Sequence, residues 1–137
     1  MQRRFGALAL FAILLLFLMP LRAEAHAGLV RSVPAIGETQ PTAPAAIELE
    51  FNEDLDPSFS TVQLFDSQNT LIDPGPGAID PANPRVLRLP LDGLPNGSYT
   101  AIFKLRSALD GHTTSGGIPF GVGVAAATTS LLPPPGT

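Results

Sequence analysis

Residues 94–106 read LPNGSYTAIFKLR. From Tyr99 onward apolar residues occupy every second position (Tyr99, Ala101, Phe103 and Leu105), with Thr100, Lys104 and Arg106 among those between them. Period two belongs to a strand with one buried and one wet face, because successive side chains of an extended chain point to opposite sides. The lead-in says how such a strand begins. Leu94, Gly97 and Tyr99 fit the corner of an immunoglobulin-like sandwich, where a tyrosine hydroxyl bonds back to upstream backbone. The same residues also read as an Asn-Gly turn followed by a core tyrosine. Either reading leads to a sandwich.

Outward from this strand the pattern recurs. Ile47, Leu49 and Phe51 alternate with Glu48 and Glu50; Val62 and Leu64 follow the turn-forming EDLDPS at 53–58; Ile118, Phe120 and Val122 supply a last strand. Leu87, Leu89 and Leu91 alternate with Arg88 and Pro90, and the proline, which cannot donate to a ladder, points to a strand end or edge. No segment holds a period of 3.6, so the expected fold is all-β: one immunoglobulin-like β-sandwich of Greek-key type. Residues 73–84, DPGPGAIDPANP, read as a surface loop, and residues 125–137, rich in small residues and then proline, as a flexible tail.

The chain begins with Arg3 and Arg4, an apolar run from Ala7 to Met19, Pro20, and then Ala23-Glu24-Ala25. That is the charged, apolar and small-x-small order of a secretory signal peptide, expected to cover residues 1–25. The run is too short to span a bilayer, which takes about 20 apolar residues, so no membrane span is expected in the mature protein. Its destination is then the periplasm or another extracytoplasmic space. The leader carries three of the eight basic side chains and only one of the 12 acidic ones, so the remainder is more acidic than the whole chain's net −4. Such a surface repels phosphate backbones and argues against nucleic acid as a partner. The chain has no cysteine. Disulfides, thiolate catalysis, a blue-copper sulfur ligand and lipid attachment at a cleavage-site cysteine are all excluded, and any metal must be held by nitrogen and oxygen.

Cleavage after Ala25 makes His26 the first residue, with a free α-amine and an imidazole together. The amine, with an ordinary pKa of about 7.7–8.0, yields its proton to a metal near neutral pH. Amine and ring nitrogen close a chelate suited to tetragonal Cu(II). The chain's other histidine stands in SALDGHTTSGG, residues 107–117, two positions after Asp110. Residues i and i+2 of extended chain share a side, and Gly111 between them lets the backbone bend. Three nitrogens and one oxygen would then come from His26, Asp110 and His112. By itself Asp-Gly-His also reads as an ordinary turn with a solvated histidine.

Three stretches carry a resemblance: HAGLVRSVPAIGE at 26–38, IELEFNEDLD at 47–56 and SALDGHTTSGGIPFGV at 107–122. In that order they resemble the CopC family of exported copper-binding proteins, over a domain of residues 26–124. The resemblance implies an immunoglobulin-like sandwich and a Cu(II) site built from the amine and imidazole of His26, from Asp110 and from His112. It also implies Glu53 as a weaker axial or neighbouring contact, and a CopD-type membrane transporter as the receiver of the copper. Some members carry a methionine-rich loop for Cu(I). The corresponding region here, FDSQNTLID at 65–73, has no methionine, and Met1 and Met19 both lie in the leader, so the resemblance implies a Cu(II)-only version. Its expected role is to sequester or carry copper rather than catalyse, because four donors fill the favoured positions of a tetragonal ion. Two other readings stay open: a small copper oxidase sharing the N-terminal histidine chelate of lytic monooxygenases, and a metal-free sandwich module. With no tryptophan and one tyrosine, the chain has little from which to build an aromatic polysaccharide-binding face.

Overall fold

The structure, a computed structural model, describes residues 27–127. These form β1 (Leu29–Val33), β2 (Thr39–Gln40), β3 (Ala46–Phe51), β4 (Thr61–Asp66), β5 (Leu71–Ile72), β6 (Ala78–Asp80), β7 (Asn83–Pro90), β8 (Gly97–Arg106) and β9 (Thr113–Val122). Two sheets face each other, a four-stranded one in the order β1-β3-β7-β6 and a five-stranded one in the order β2-β9-β8-β4-β5. The chain changes sheet at every step from β1 to β4, and again between β5 and β6 and between β7 and β8. The all-β sandwich expected from the period-two runs is the fold observed.

The alternating residues do what their spacing requires. Ile47, Leu49, Phe51, Leu87 and Leu89 from one sheet meet Val62, Leu64, Tyr99, Ala101, Phe103, Leu105, Ile118, Phe120 and Val122 from the other, all buried. Phe51 meets Phe103 edge-on across the sandwich at 5.3 Å. On the wet face of the four-stranded sheet the residues between them pair across strands: Arg88 with Glu48 at 2.7 Å and Arg31 with Glu50 at 3.2 Å. Both pairs are directly opposite in register. Exposed pairs of this kind are each worth about 1 kcal/mol at most.

The Tyr99 hydroxyl donates to the Pro95 carbonyl at 2.7 Å. This is the corner bond of the immunoglobulin-like reading, and it anchors the start of β8. Pro90 is the last residue of β7, the strand end its place in the sequence pointed to. The 73–84 segment is not wholly loop. Ala78–Asp80 pairs with β7, and Asn83 already belongs to that strand. Three residues facing an edge carry too little alternation to be read as a strand. Beyond β9 the chain turns back: the Ala127 amide donates to Ser98 Oγ at 2.7 Å, and Val124–Ala126 lie close over Gly121, where any side chain would collide with them.

Candidate metal centre

β8 and β9 are joined by residues 107–112, and this loop holds Asp110 and His112. It is tied closed by its own backbone. The Ser107 amide donates to the His112 carbonyl at 2.9 Å, and the Gly111 amide donates to the Ser107 carbonyl at 3.1 Å. Gly111 sits at φ +73°, a left-handed conformation that favours glycine, so the bend between the two candidate ligands is a glycine bend.

Within the bend Asp110 and His112 are bonded twice. The His112 amide donates to Asp110 Oδ1 at 3.0 Å, and His112 Nδ1 lies 2.8 Å from Asp110 Oδ2. That second contact fixes the tautomer: with the proton on Nδ1, a neutral ring presents its lone pair at Nε2. Bonds from the His112 backbone and ring, opposed by some desolvation and aided least by Ser107, hold the Asp110 carboxyl below its ordinary range. The loop therefore holds a carboxylate and an imidazole ring side by side, an oxygen and a nitrogen donor on six residues of chain.

Glu53 approaches from β3's end but does not join them. Its Oε2 accepts the Ser107 hydroxyl at 2.7 Å. Among the described residues no three of His, Cys, Asp and Glu converge as a metal-holding group. A cleft of about 370 Å³ lies beside the loop, lined by Asn52, Glu53, Asp54, Arg85, Ala108 and Leu109. His26 lies outside the described residues, but the residue after it does not. Ala27 is buried, the Gly28 amide donates to Asn52 Oδ1, and the Asn52 amide returns a bond to the Gly28 carbonyl. Asn52 directly precedes Glu53, and the Ala108 amide donates to the Asp54 carbonyl. The chain therefore enters the domain at the same end of the sandwich as the 107–112 loop.

Sequence reasoning passed over Ser107. Its signal was present: Ser107 continues the inward series Tyr99, Ala101, Phe103, Leu105, so a small polar residue was due to face the end of the core.

The CopC domain family matches residues 29–123. The chain is 37% identical over 116 residues to the copper transport protein CutJ of Bacillus subtilis (strain 168), covering 82% of this chain but only 21% of CutJ's own length. It is 34% identical over 99 residues to protein YobA of Escherichia coli (strain K12), covering 72% of this chain and 79% of YobA. Among solved structures, CopC from Methylosinus trichosporium OB3b superposes with a TM-score of 0.66 at 29% identity, over 71% of this chain and 93% of that one. PcoC, a methionine-rich copper resistance protein from Escherichia coli, gives 0.57 at 28% identity, over 72% and 99%. Sandwich, glycine bend and flanking sequence thus agree with a family match spanning the whole of both sheets, and the chain belongs to the CopC family.

Proposed function

We propose that this is an exported Cu(II)-binding protein of copper resistance or homeostasis, which sequesters the ion or passes it on. Family membership supports copper as the cargo, and the relatives named for copper transport and copper resistance support carriage over catalysis. The observation that carries the reading is the convergence at one end of the sandwich of the chain's start, pinned at Ala27 and Gly28, with the bonded pair Asp110–His112. A histidine held one residue before Ala27 starts from the right place to complete a set of three nitrogens and one oxygen. In this reading residues 1–25 are a secretory leader, His26 supplies amine and imidazole, and the protein acts in the periplasm or an equivalent extracytoplasmic space. No helix of the described residues is long and apolar enough to cross a membrane.

The ion is Cu(II) rather than Cu(I), because the donors are nitrogen and carboxylate and the only methionines, Met1 and Met19, lie in the leader. The methionine-rich relative PcoC has what this chain lacks. The receiver in this reading is a CopD-type membrane transporter.

The test is a Cu(II) titration with electron paramagnetic resonance on two preparations, one beginning at His26 and one carrying a single extra residue before it. The added residue leaves both imidazoles and removes the free amine from His26. A tight, tetragonal, nitrogen-rich signal only from the first supports the reading. Equal behaviour of the two rules out the N-terminal chelate. In the first preparation His112→Ala is expected to weaken binding sharply, and Asp110→Asn to weaken it less while altering the spectrum.

A further inference from the structure

Ser107 is almost fully buried, at 1% exposure, yet all of its polar atoms are engaged at the metal end. Its hydroxyl donates to Glu53 Oε2 at 2.7 Å and accepts the Leu109 amide at 3.1 Å. Its amide and carbonyl close the loop on His112 and Gly111, and the next amide, Ala108, bonds to the Asp54 carbonyl. One side chain thus joins the end of β3, in the four-stranded sheet, to the loop between β8 and β9, in the five-stranded one.

We propose that Ser107 is a positioning residue for the copper site: its hydroxyl fastens the 107–112 loop to Glu53, so that Asp110 and His112 are held in ligating register and Glu53 acts as an acceptor for the serine instead of as a ligand. This rests on the copper reading above, but it makes a claim about the metal-free protein too. A buried hydroxyl left without its acceptor keeps its desolvation cost uncompensated, which gives the fastening force. Among the described residues Glu53 forms no three-member metal-holding group with Asp110 and His112, in keeping with an indirect role.

The experiment compares the wild type with Ser107→Ala, Glu53→Ala and Glu53→Gln, all beginning at His26. Two readouts are followed: amide hydrogen exchange of Leu109 and Gly111 without metal, and Cu(II) affinity with its paramagnetic spectrum. Ser107→Ala and Glu53→Ala are expected to speed exchange at both amides and to weaken copper binding about 10-fold or more, the scale seen when an outer partner of a metal ligand is lost. Glu53→Gln keeps an oxygen for the serine to bond and is expected to match the wild type in exchange, affinity and spectrum. A purely electrostatic or ligating role for Glu53 predicts instead that Gln behaves like Ala and shifts the spectrum, which would overturn the proposal. Unchanged loop exchange in Ser107→Ala would overturn it as well. If Ser107→Ala does not fold, the contrast between Glu53→Ala and Glu53→Gln decides alone. Failure of the wild type to bind copper refutes the copper reading, while the exchange data still judge the fastening.

Discussion

Tyr99 is the chain's one tyrosine, and it serves at once as a core side chain and as the tie of the corner. Its ring stacks on Phe120 at 5.7 Å, while its hydroxyl reaches Pro95. Tyr99→Phe keeps the ring and leaves the Pro95 carbonyl without this donor, so a loss of about 1 kcal/mol is expected in denaturant unfolding at neutral pH. Burial, and after it the charge of Asp66, raise the Tyr99 pKa above 10.0. The folded protein therefore keeps this proton after the unfolded chain has begun to lose it. Stability falls as pH rises from about 10 through the folded value, and the wild type's advantage over Tyr99→Phe should shrink over that window. An advantage that stays constant to high pH would mean the hydroxyl is not restrained in the fold. Asp110 has the opposite sign: its lowered pKa keeps it an anion below the ordinary carboxylate range. Acid release of copper should accordingly follow protonation of the amine and imidazoles, with Asp110 the last donor lost, and the spectrum should lose nitrogen donors first.

At the scale of elements, β8 and β9 pair along ten residues each, and their register puts Gly116 opposite Phe103. A Cβ on Gly116 would lie 2.6 Å from Phe103 Cζ, inside any real contact, so the ring occupies the space the missing side chain leaves. Gly116→Ala must displace Phe103, which also packs on Phe51, and overpacking of this sort costs about 1–3 kcal/mol. A cut in denaturant midpoint with an unchanged slope is the expected result, and no change would mean the ring has room to move. The longer strands were legible because alternation over six to ten residues is a strong signal: the inward residues named from spacing in β3, β4, β8 and β9 are the buried ones. β2, β5 and β6 were not, since two or three residues cannot display a period. Each is an outermost strand of its sheet, held by pairing to a longer neighbour. The site divides the same way. Asp110 and His112 could be read from residue type and spacing, whereas Ser107 carries chemistry only through burial and through Glu53, 54 positions away.

For the whole molecule the absence of cysteine matters most, because no disulfide ties one sheet to the other. β1 opens the four-stranded sheet, while the 107–112 loop joins two strands of the five-stranded one. A copper ion held by His26 together with Asp110 and His112 would clip the start of the domain to a point near its end, bridging the sheets in the way a disulfide does. Ligands that bind only the folded state stabilise it by mass action. With free Cu(II) at a hundred times its Kd the gain is about 2.7 kcal/mol. At roughly 4–8 °C per kcal/mol for a domain of this size, Tm should rise by something on the order of 10–20 °C. The same titration of His112→Ala, or of protein with one residue added before His26, should give much less at equal copper, because each breaks one end of the clip. A rise of equal size in all three would place the copper on some other surface and detach the stability of the sandwich from the chelate.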